Sequence, residues 1–150
     1  MKTVSAVVAA LTLLALGCAP AWAVLGEYES SVASDQQAMR GELQVTARAG
    51  YMVQEIKGAR GTVVKEYISP QGLVFGISWQ GPALPNLQQL LGSYFADWQK
   101  ASASHAPRRG PLVVRTDKFV IESGGHVRAF RGRAFAPPLF PKNLGPEVIQ

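Results

Sequence analysis

The chain contains very little cysteine. The only one among its 150 residues is Cys18, which lies in an apolar segment at the N-terminus. An oxidising compartment permits disulfides, but a single cysteine offers no intramolecular pair. If that segment is removed after export, the mature chain has no thiol at all. Thiol catalysis, zinc–thiolate sites and iron–sulfur clusters are therefore excluded for the mature protein.

Histidine is also scarce, and its spacing does not indicate a metal site. The 2 histidines are His105 and His126, so the chain has neither a His-x-His nor a His-x3-His pair. A metal centre would need ligands from distant segments, and we expect neither a metal nor another cofactor. The chain also lacks Gly-x-Ser-x-Gly, which surrounds the nucleophile of many serine hydrolases.

No apolar run has the length of a comfortable membrane span. The N-terminal run, Val4–Leu16, has 13 residues, whereas a spanning helix needs roughly 18 or more. Lys2 precedes this run, and Ala21-Trp22-Ala23 follows it with small residues at both positions that a signal peptidase reads. We therefore predict a signal peptide over residues 1–23, cleavage after Ala23, and a periplasmic or secreted mature protein.

Two alternatives to this cleaved signal remain. The segment is free of charge from Lys2 to Glu27, which is compatible with an uncleaved anchor, although Pro20 and the Ala-x-Ala pattern favour cleavage. Lipidation of Cys18 is the second alternative. A lipoprotein signal usually has a branched aliphatic residue three positions before the cysteine, where this chain has Ala15.

Acidic residues are fewer than basic ones. The chain has 10 Asp and Glu against 15 Lys and Arg, for a net charge of +5, and removal of Lys2 lowers this charge by one. A positive balance suits an anionic partner such as a lipid headgroup, lipopolysaccharide or an acidic glycan, including peripheral contact with a membrane. Many exported proteins are mildly basic without a specific reason. Nucleic acid is not expected as a partner of an exported protein.

The patterning predicts one α+β domain over residues 24–136 and an extended tail over residues 137–150. Leu73, Phe75, Ile77 and Trp79 alternate with smaller or polar residues, which is typical of a strand with one apolar face. Two glycines in Ser123–His126 predict a tight turn. Strands are predicted at Tyr51–Lys57, Thr62–Ser69, Leu73–Gln80, Leu112–Arg115 with Phe119–Glu122 (one strand or a hairpin), and Val127–Ala136.

Two helices complete the prediction. Ser34 can cap a short helix whose first turn holds Asp35, favourably placed there, and which continues over Gln36–Leu43. Apolar side chains recur at steps of three and four residues over Leu87–Lys100, which predicts a longer amphipathic helix that begins near Pro85. We therefore expect an antiparallel sheet of about five strands, with the longer helix packed on one face.

A small hydrolase is the alternative to a non-catalytic role. Ser123, His126 and a carboxylate such as Glu122 or Asp117 can be drawn as a catalytic triad, although triads are recognised by geometry rather than by proximity along the chain. A hairpin turn with a polar rim is the more ordinary interpretation. Carboxylate pairs for glycoside hydrolysis are a further option, but carboxylates on a sheet usually face solvent. The candidates on predicted strands are Glu55, Glu66 and Glu122.

Arginine is concentrated in the last third of the chain, where pairing of the final strands would form a basic patch. Guanidinium groups bind phosphate and carboxylate through two parallel hydrogen bonds. The alternative is a charged sheet edge that opposes aggregation. The candidate binding residues are Arg108, Arg109, Arg128, Arg131 and Arg133, together with His126.

The order of motifs resembles a family of small exported proteobacterial proteins that is known only as a domain of unknown function. The resemblance covers residues 25–150 and implies an exported, periplasmic, single-domain protein, with no activity or ligand attached. We therefore expect a non-catalytic envelope protein that binds a partner or an anionic component. An assembly factor whose exposed sheet edge accepts a client strand is a third possibility. The segments that carry the resemblance are Gly61–Pro70, Trp79–Pro85, Leu90–Phe95, Arg108–Leu112 and Glu122–His126.

Overall fold

The structure, a computed structural model, describes residues 25–104 and 110–150. In this part of the chain, seven strands form one antiparallel sheet in the spatial order β1-β2-β3-β4-β7-β6-β5. The architecture is therefore α+β with an antiparallel sheet, as predicted, but the expectation of about five strands was wrong. The strands are β1 (Glu42–Arg48), β2 (Tyr51–Lys57), β3 (Val63–Ile68), β4 (Val74–Gly81), β5 (Leu112–Arg115), β6 (Val120–His126) and β7 (Ala129–Phe135).

The two additional strands have different origins. β1 begins inside the segment that was predicted as helix, and it pairs along its whole length with β2. β5 and β6 are separate because Thr116 closes a turn between them. Its Oγ1 accepts the N–H of Phe119 at 3.0 Å and lies 3.1 Å from the carbonyl oxygen of Phe119. This side-chain bonding replaces strand pairing locally, so the chain reverses there.

The first helix, α1, spans Val32–Met39 and ends earlier than predicted. Arg40 adopts the left-handed conformation with φ of 47°, which stops the helix. Gly41 then lies against β2 so closely that a Cβ would be 2.7 Å from Ile56 Cγ2 and 2.9 Å from the Lys57 carbonyl oxygen. Ser34, the predicted cap, is an interior residue of α1.

The predicted long helix is interrupted at Gly92. α2 spans Leu87–Leu91, a 3₁₀ turn follows over Gly92–Tyr94, and α3 spans Phe95–Ala103. The side chain of Asn86 caps α2 by accepting the N–H of Gln89 at 3.2 Å. Gly92 has φ of 47° and ψ of −115°, a conformation that only glycine adopts without strain and that no helix continues. Helical periodicity survives the break because the 3₁₀ turn keeps the apolar side chains on one side.

Apolar side chains cover both faces of the sheet. On one face, which we call the helix side, Val64, Ile77 and Trp79 pack with Leu90 and Leu91 of α2 in the larger buried cluster. The opposite face, the tail side, carries a second cluster. Its buried members are Tyr67, Phe75, Val120, Phe135 and Ile149.

A β-bulge between β3 and β4 decides which face Phe75 occupies. The pairing steps from Tyr67 opposite Gly76 to Ile68 opposite Val74, which leaves Phe75 as the extra residue. A bulge of this kind changes the direction of the side chains on either side of it. Phe75 therefore lies in the tail-side cluster, whereas Ile77 lies on the helix side. The prediction that Phe75 and Ile77 share one face was wrong for this reason.

The C-terminal segment is packed and not extended. It forms 3₁₀ turns over Pro137–Leu139 and Pro146–Val148, and the ring centroid of Phe140 lies 5.0 Å from that of Phe75. Ile149 is 1% exposed, and it fits over Gly76, where any Cβ would overlap its Cδ1 atom. The C-terminal segment therefore covers the tail side of the sheet, and the helices cover the helix side.

Candidate functional site

A groove of about 730 Å³ lies on the tail side of the sheet, beside the end of the C-terminal segment. Its floor is formed by β3, β4, β7 and β6, and Ile149 and Gln150 lie at one wall. Gly124, opposite Arg131, contributes no side chain to the lining and leaves space there. The polar and charged residues that line the groove are Glu55, Lys65, Ser78, Gln80, Glu122, Ser123, Arg131, Arg133 and Gln150.

Arg131 and Lys65 are the cations of the groove that have no acidic partner among the described residues. Arg131 is exposed on β7 and stands opposite Gln80 on one side and Gly124 on the other. Lys65 is half-buried on β3, between Glu55 and Ser78. The Glu55 carboxylate is instead 3.7 Å from the ammonium group of Lys57. Both cations are therefore available to an anion in the groove.

Arg133 has a structural role in the same groove. Its Nε donates to Glu122 Oε2 at 2.9 Å, and its Nη1 donates to the carbonyl oxygens of Pro146 at 3.1 Å and Ile149 at 3.3 Å. Glu122 also accepts from Arg115 Nη2 at 2.8 Å. This network joins the C-terminal segment to the sheet and neutralises the Glu122 carboxylate.

We expect the Arg133→Met variant to release the C-terminal segment. The carbonyl oxygens of Pro146 and Ile149 lose their charged donor, while the aliphatic part of the side chain is kept. Hydrogen exchange should accelerate in residues 144–150 and change little in β2. Arg128→Met is the matched control, because that arginine lies on the same hairpin and is exposed. Equal protection of the segment in Arg133→Met and wild type would contradict the assignment.

The other predicted binding residues do not converge on the groove. Arg128 is in the turn between β6 and β7, with φ of 69°, because β6 continues through the two glycines to His126 and the tight turn lies at residues 127–128. The turn predicted at Ser123–His126 is therefore displaced. Arg108 and Arg109 lie outside the described residues, as do Cys18 and the segment 1–23 that was predicted to be a signal peptide.

Ser123 and His126 are not brought together in the way a triad requires. His126 is exposed at the end of β6, and its Nδ1 lies 3.3 Å from the carbonyl oxygen of Val127. Ser123 is three positions earlier on the same strand, so strand alternation directs the two side chains to opposite faces. Glu122 is engaged by Arg115 and Arg133, and Asp117 is in the β5–β6 turn. The described geometry thus gives the hydrolase hypothesis no support.

A buried pair of carboxyl groups lies on the helix side of the sheet, and the sequence analysis missed it. Asp35 of α1 is 1% exposed and Glu66 of β3 is 0% exposed. Gln89 Nε2 of α2 donates to Asp35 Oδ1, so the pair joins two helices to the sheet. Glu66 was expected to face solvent, as carboxylates on a sheet usually do, and that expectation was wrong. The available signal was alternation, because Val64 and Ile68 flank Glu66 on the inward face of β3.

The two carboxyl groups hold protons more tightly than usual. Burial raises the pKa of Asp35 from 3.8 to about 6, although hydrogen bonds from Glu66 and Gln89 act in the opposite direction. Burial and then the charge of Asp35 raise the pKa of Glu66 well above 4.5. Asp35 Oδ2 and both carboxyl oxygens of Glu66 have no donor if both groups are ionised. A proton held on Glu66 and donated to Asp35 gives the buried Asp35 carboxylate a donor, and it contributes to the raised pKa of Glu66. The raised pKa of Asp35 is due to burial alone.

A smaller cavity of about 300 Å³ opens above this pair. Asp35 and Gln89 form part of its lining, and the exposed side chains of Arg60 and Leu84 lie at its rim. Glu66 does not line it, which keeps that carboxyl group away from solvent. Within residues 25–104 and 110–150, no three histidine, cysteine, aspartate or glutamate side chains are grouped as metal ligands. No helix in the same ranges is long and apolar enough to cross a membrane.

A family model described as "Protein of unknown function (DUF2844)" matches residues 21–149. The chain belongs to this family. The resemblance to a domain of unknown function is thereby confirmed, and the match covers all seven strands of the sheet. No curated protein and no solved structure gives a significant match. The description of DUF2844 names no ligand and no activity.

Proposed function

We propose that the protein is an exported, non-catalytic envelope protein that binds an anionic component in the tail-side groove. The observation that carries this proposal is a pair of cations in an open groove, Arg131 and Lys65, that have no acidic partner within residues 25–104 and 110–150. A planar guanidinium group and a nearby ammonium group together suit phosphate or carboxylate oxygens. Arg133 and Glu122 neutralise each other, so they add little net charge. Glu55 offsets one of the two remaining cations, so the side chains of the lining carry three positive charges against two negative ones.

Export is the part of the proposal that rests on residues 1–23. A short positive start, an apolar run and Ala21-Trp22-Ala23 together form the pattern of a cleaved signal. Mass spectrometry of the protein recovered from a periplasmic or culture-fluid fraction should give a chain that begins at Val24. Recovery of the uncleaved chain from the cytosol would contradict this part of the proposal and leave the groove without an envelope partner.

Binding is tested with vesicles that differ only in charge. We expect the protein to cosediment with vesicles that contain phosphatidylglycerol and not with neutral phosphatidylcholine vesicles. The double variant Arg131→Gln, Lys65→Gln should lose at least about tenfold in affinity, because it removes two charge-assisted contacts. Increasing salt should weaken binding by wild type for the same reason.

The double variant Lys100→Gln, Lys118→Gln is the matched control, because both lysines are exposed and neither lines the groove. This variant also loses two positive charges and should bind like wild type. Lipopolysaccharide and an acidic oligosaccharide serve as further ligands and separate a lipid headgroup from an acidic glycan. Equal losses of affinity in the control variant and the groove variant would indicate binding by net charge alone and would reject the groove.

A further inference from the structure

β1 forms a long open edge of the sheet. Its seven residues all pair with β2, and no described strand pairs with its other side. The opposite edge strand, β5, has only four residues. Among the described residues, no side chain or backbone group outside the β1–β2 pair donates to β1 or accepts from it. The outward N–H and C=O groups of β1 are therefore open to another strand.

The sequence of β1 is complementary to itself when two copies run antiparallel. Val45 is at its centre, and Glu42 and Arg48 are three positions away on either side. Pairing about Val45 places Glu42 opposite the partner's Arg48, and Arg48 opposite the partner's Glu42. The intermediate pairs are equally compatible, because Leu43 meets the partner's Ala47 and Gln44 meets the partner's Thr46.

Both charges of this pairing lie on one face of the sheet. Arg48 is opposite Tyr51, which packs on the tail-side cluster, whereas Leu43 packs on the helix side. Alternation then places Glu42 with Arg48 on the tail side. The two residues of each cross-copy pair would therefore point in the same direction, as an ion pair across a sheet requires.

In the part of the chain that the structure describes, the exposed side chains of Glu42, Val45 and Arg48 on β1 are not used for contacts within one copy. Val45 is 53% exposed, which is unusual for an apolar residue at the centre of a strand. Lys57 is opposite Glu42 in the register, yet its ammonium group contacts Glu55 at 3.7 Å instead. Among the described residues, neither Glu42 nor Arg48 forms an ion pair.

We propose that two copies of this chain associate antiparallel through β1, about a two-fold axis at Val45, and form one sheet that is continuous across both copies. Main-chain hydrogen bonds between the two β1 strands provide the affinity, and the two Glu42–Arg48 pairs set the register of the strands. A single pair of strands buries a small area, so the dimer is concentration-dependent rather than obligate. This inference is independent of the groove, whose lining includes no residue of β1.

Charge reversal separates this register from other ways of associating. Sedimentation equilibrium of wild type should show a dimer that dissociates on dilution. Glu42→Arg alone and Arg48→Glu alone each create like-charge pairs, and each should raise the dissociation constant roughly tenfold. An equimolar mixture of these two variants should recover a dimer, because every pair across that interface is again Glu with Arg. The double variant Glu42→Arg, Arg48→Glu should dimerise by itself.

Val45→Lys is a second variant that should abolish the dimer, because it places two ammonium groups opposite each other at the axis. The side chains of Glu42, Val45 and Arg48 are all exposed, so the circular dichroism and melting temperature of each variant should match those of wild type. If wild type stays monomeric at every concentration, the proposal is overturned, and Glu42 and Arg48 are charges that protect an exposed edge strand from aggregation. A dimer that the single variants weaken but their mixture fails to restore overturns the antiparallel register.

Discussion

Replacing Glu66 with glutamine is expected to stabilise the protein at alkaline pH and to leave its stability at about pH 4 nearly unchanged. At acidic pH, Glu66 is a neutral acid that donates to Asp35, and the glutamine amide has the same size and can donate in the same way. At alkaline pH, wild type must ionise a carboxyl group that is 0% exposed. Glutamine has no such group to ionise.

The direction of the pH dependence follows from the raised pKa values. A carboxyl group with a higher pKa in the folded state ionises first in the unfolded chain, so the unfolded chain is favoured as pH rises. For Asp35, the rise from 3.8 to about 6 corresponds to about 3 kcal/mol of stability that is full below pH 3.8 and lost by about pH 6. For Glu66, the loss begins above 4.5 and continues beyond that of Asp35.

The measurement is the free energy of unfolding by urea at a series of pH values. Wild type should continue to lose stability above about pH 6, whereas Glu66→Gln should reach a plateau there, because only Asp35 still titrates. Glu55→Gln is the matched control on the neighbouring strand, since Glu55 is half-exposed and paired with Lys57. The free energy of unfolding of Glu55→Gln should vary with pH in the same way as that of wild type. Parallel profiles for Glu66→Gln and wild type above pH 6 would show that Glu66 does not titrate with folding.

Phe75→Ala is expected to cost about 3–5 kcal/mol of unfolding free energy, as removal of a buried phenylalanine usually does. Phe75 is 0% exposed and contacts the rings of Tyr51, Tyr67 and Phe140. The cavity would lie between the sheet and the C-terminal segment. Hydrogen exchange should therefore accelerate in that segment more than in the helices.

Phe95→Ala serves as the comparison for Phe75→Ala. Phe95 is half-buried on α3, where its ring stacks on Trp98 at 5.3 Å between centroids. Phe95→Ala removes less buried area, so it should lower the free energy of unfolding clearly less than Phe75→Ala does. It should also leave the C-terminal segment protected from hydrogen exchange. If Phe75→Ala instead loosens the helices first, Phe75 belongs to the helix-side core, and the bulge is misplaced.

Local patterns in the sequence predicted the central strands well, because β2, β3 and β4 are separated by glycine- and proline-containing turns. Alternation failed at Phe75, since a bulge depends on pairing between strands and leaves no mark on one strand alone. The end of α1 also depended on tertiary structure. Gly41 is required by the close approach of β2, and a reader of the sequence sees only a glycine within a helical pattern.

The candidate site was also predictable only as far as local sequence patterns reach. Arg131 and Arg133 belong to one strand and share its tail-side face, which alternation alone suggests. Their different roles come from distant residues, because Glu122 and the C-terminal segment occupy Arg133 and leave Arg131 free of acidic partners among the described residues. The Asp35–Glu66 pair joins residues 31 positions apart in the sequence, so only the packing of α1 on the sheet reveals it.

The order of the strands has a consequence for the rate of folding. β1 to β4 form one meander of neighbours in sequence, and β5 to β7 form another, each closed by short turns. Only the β4–β7 pair joins them, and its partners are far apart along the chain. Closing that long loop costs more chain entropy than forming either meander. The rate of refolding should therefore be limited by the docking of the two meanders. Substitutions in β7 that weaken its pairing with β4 should lower this rate more than substitutions in β1.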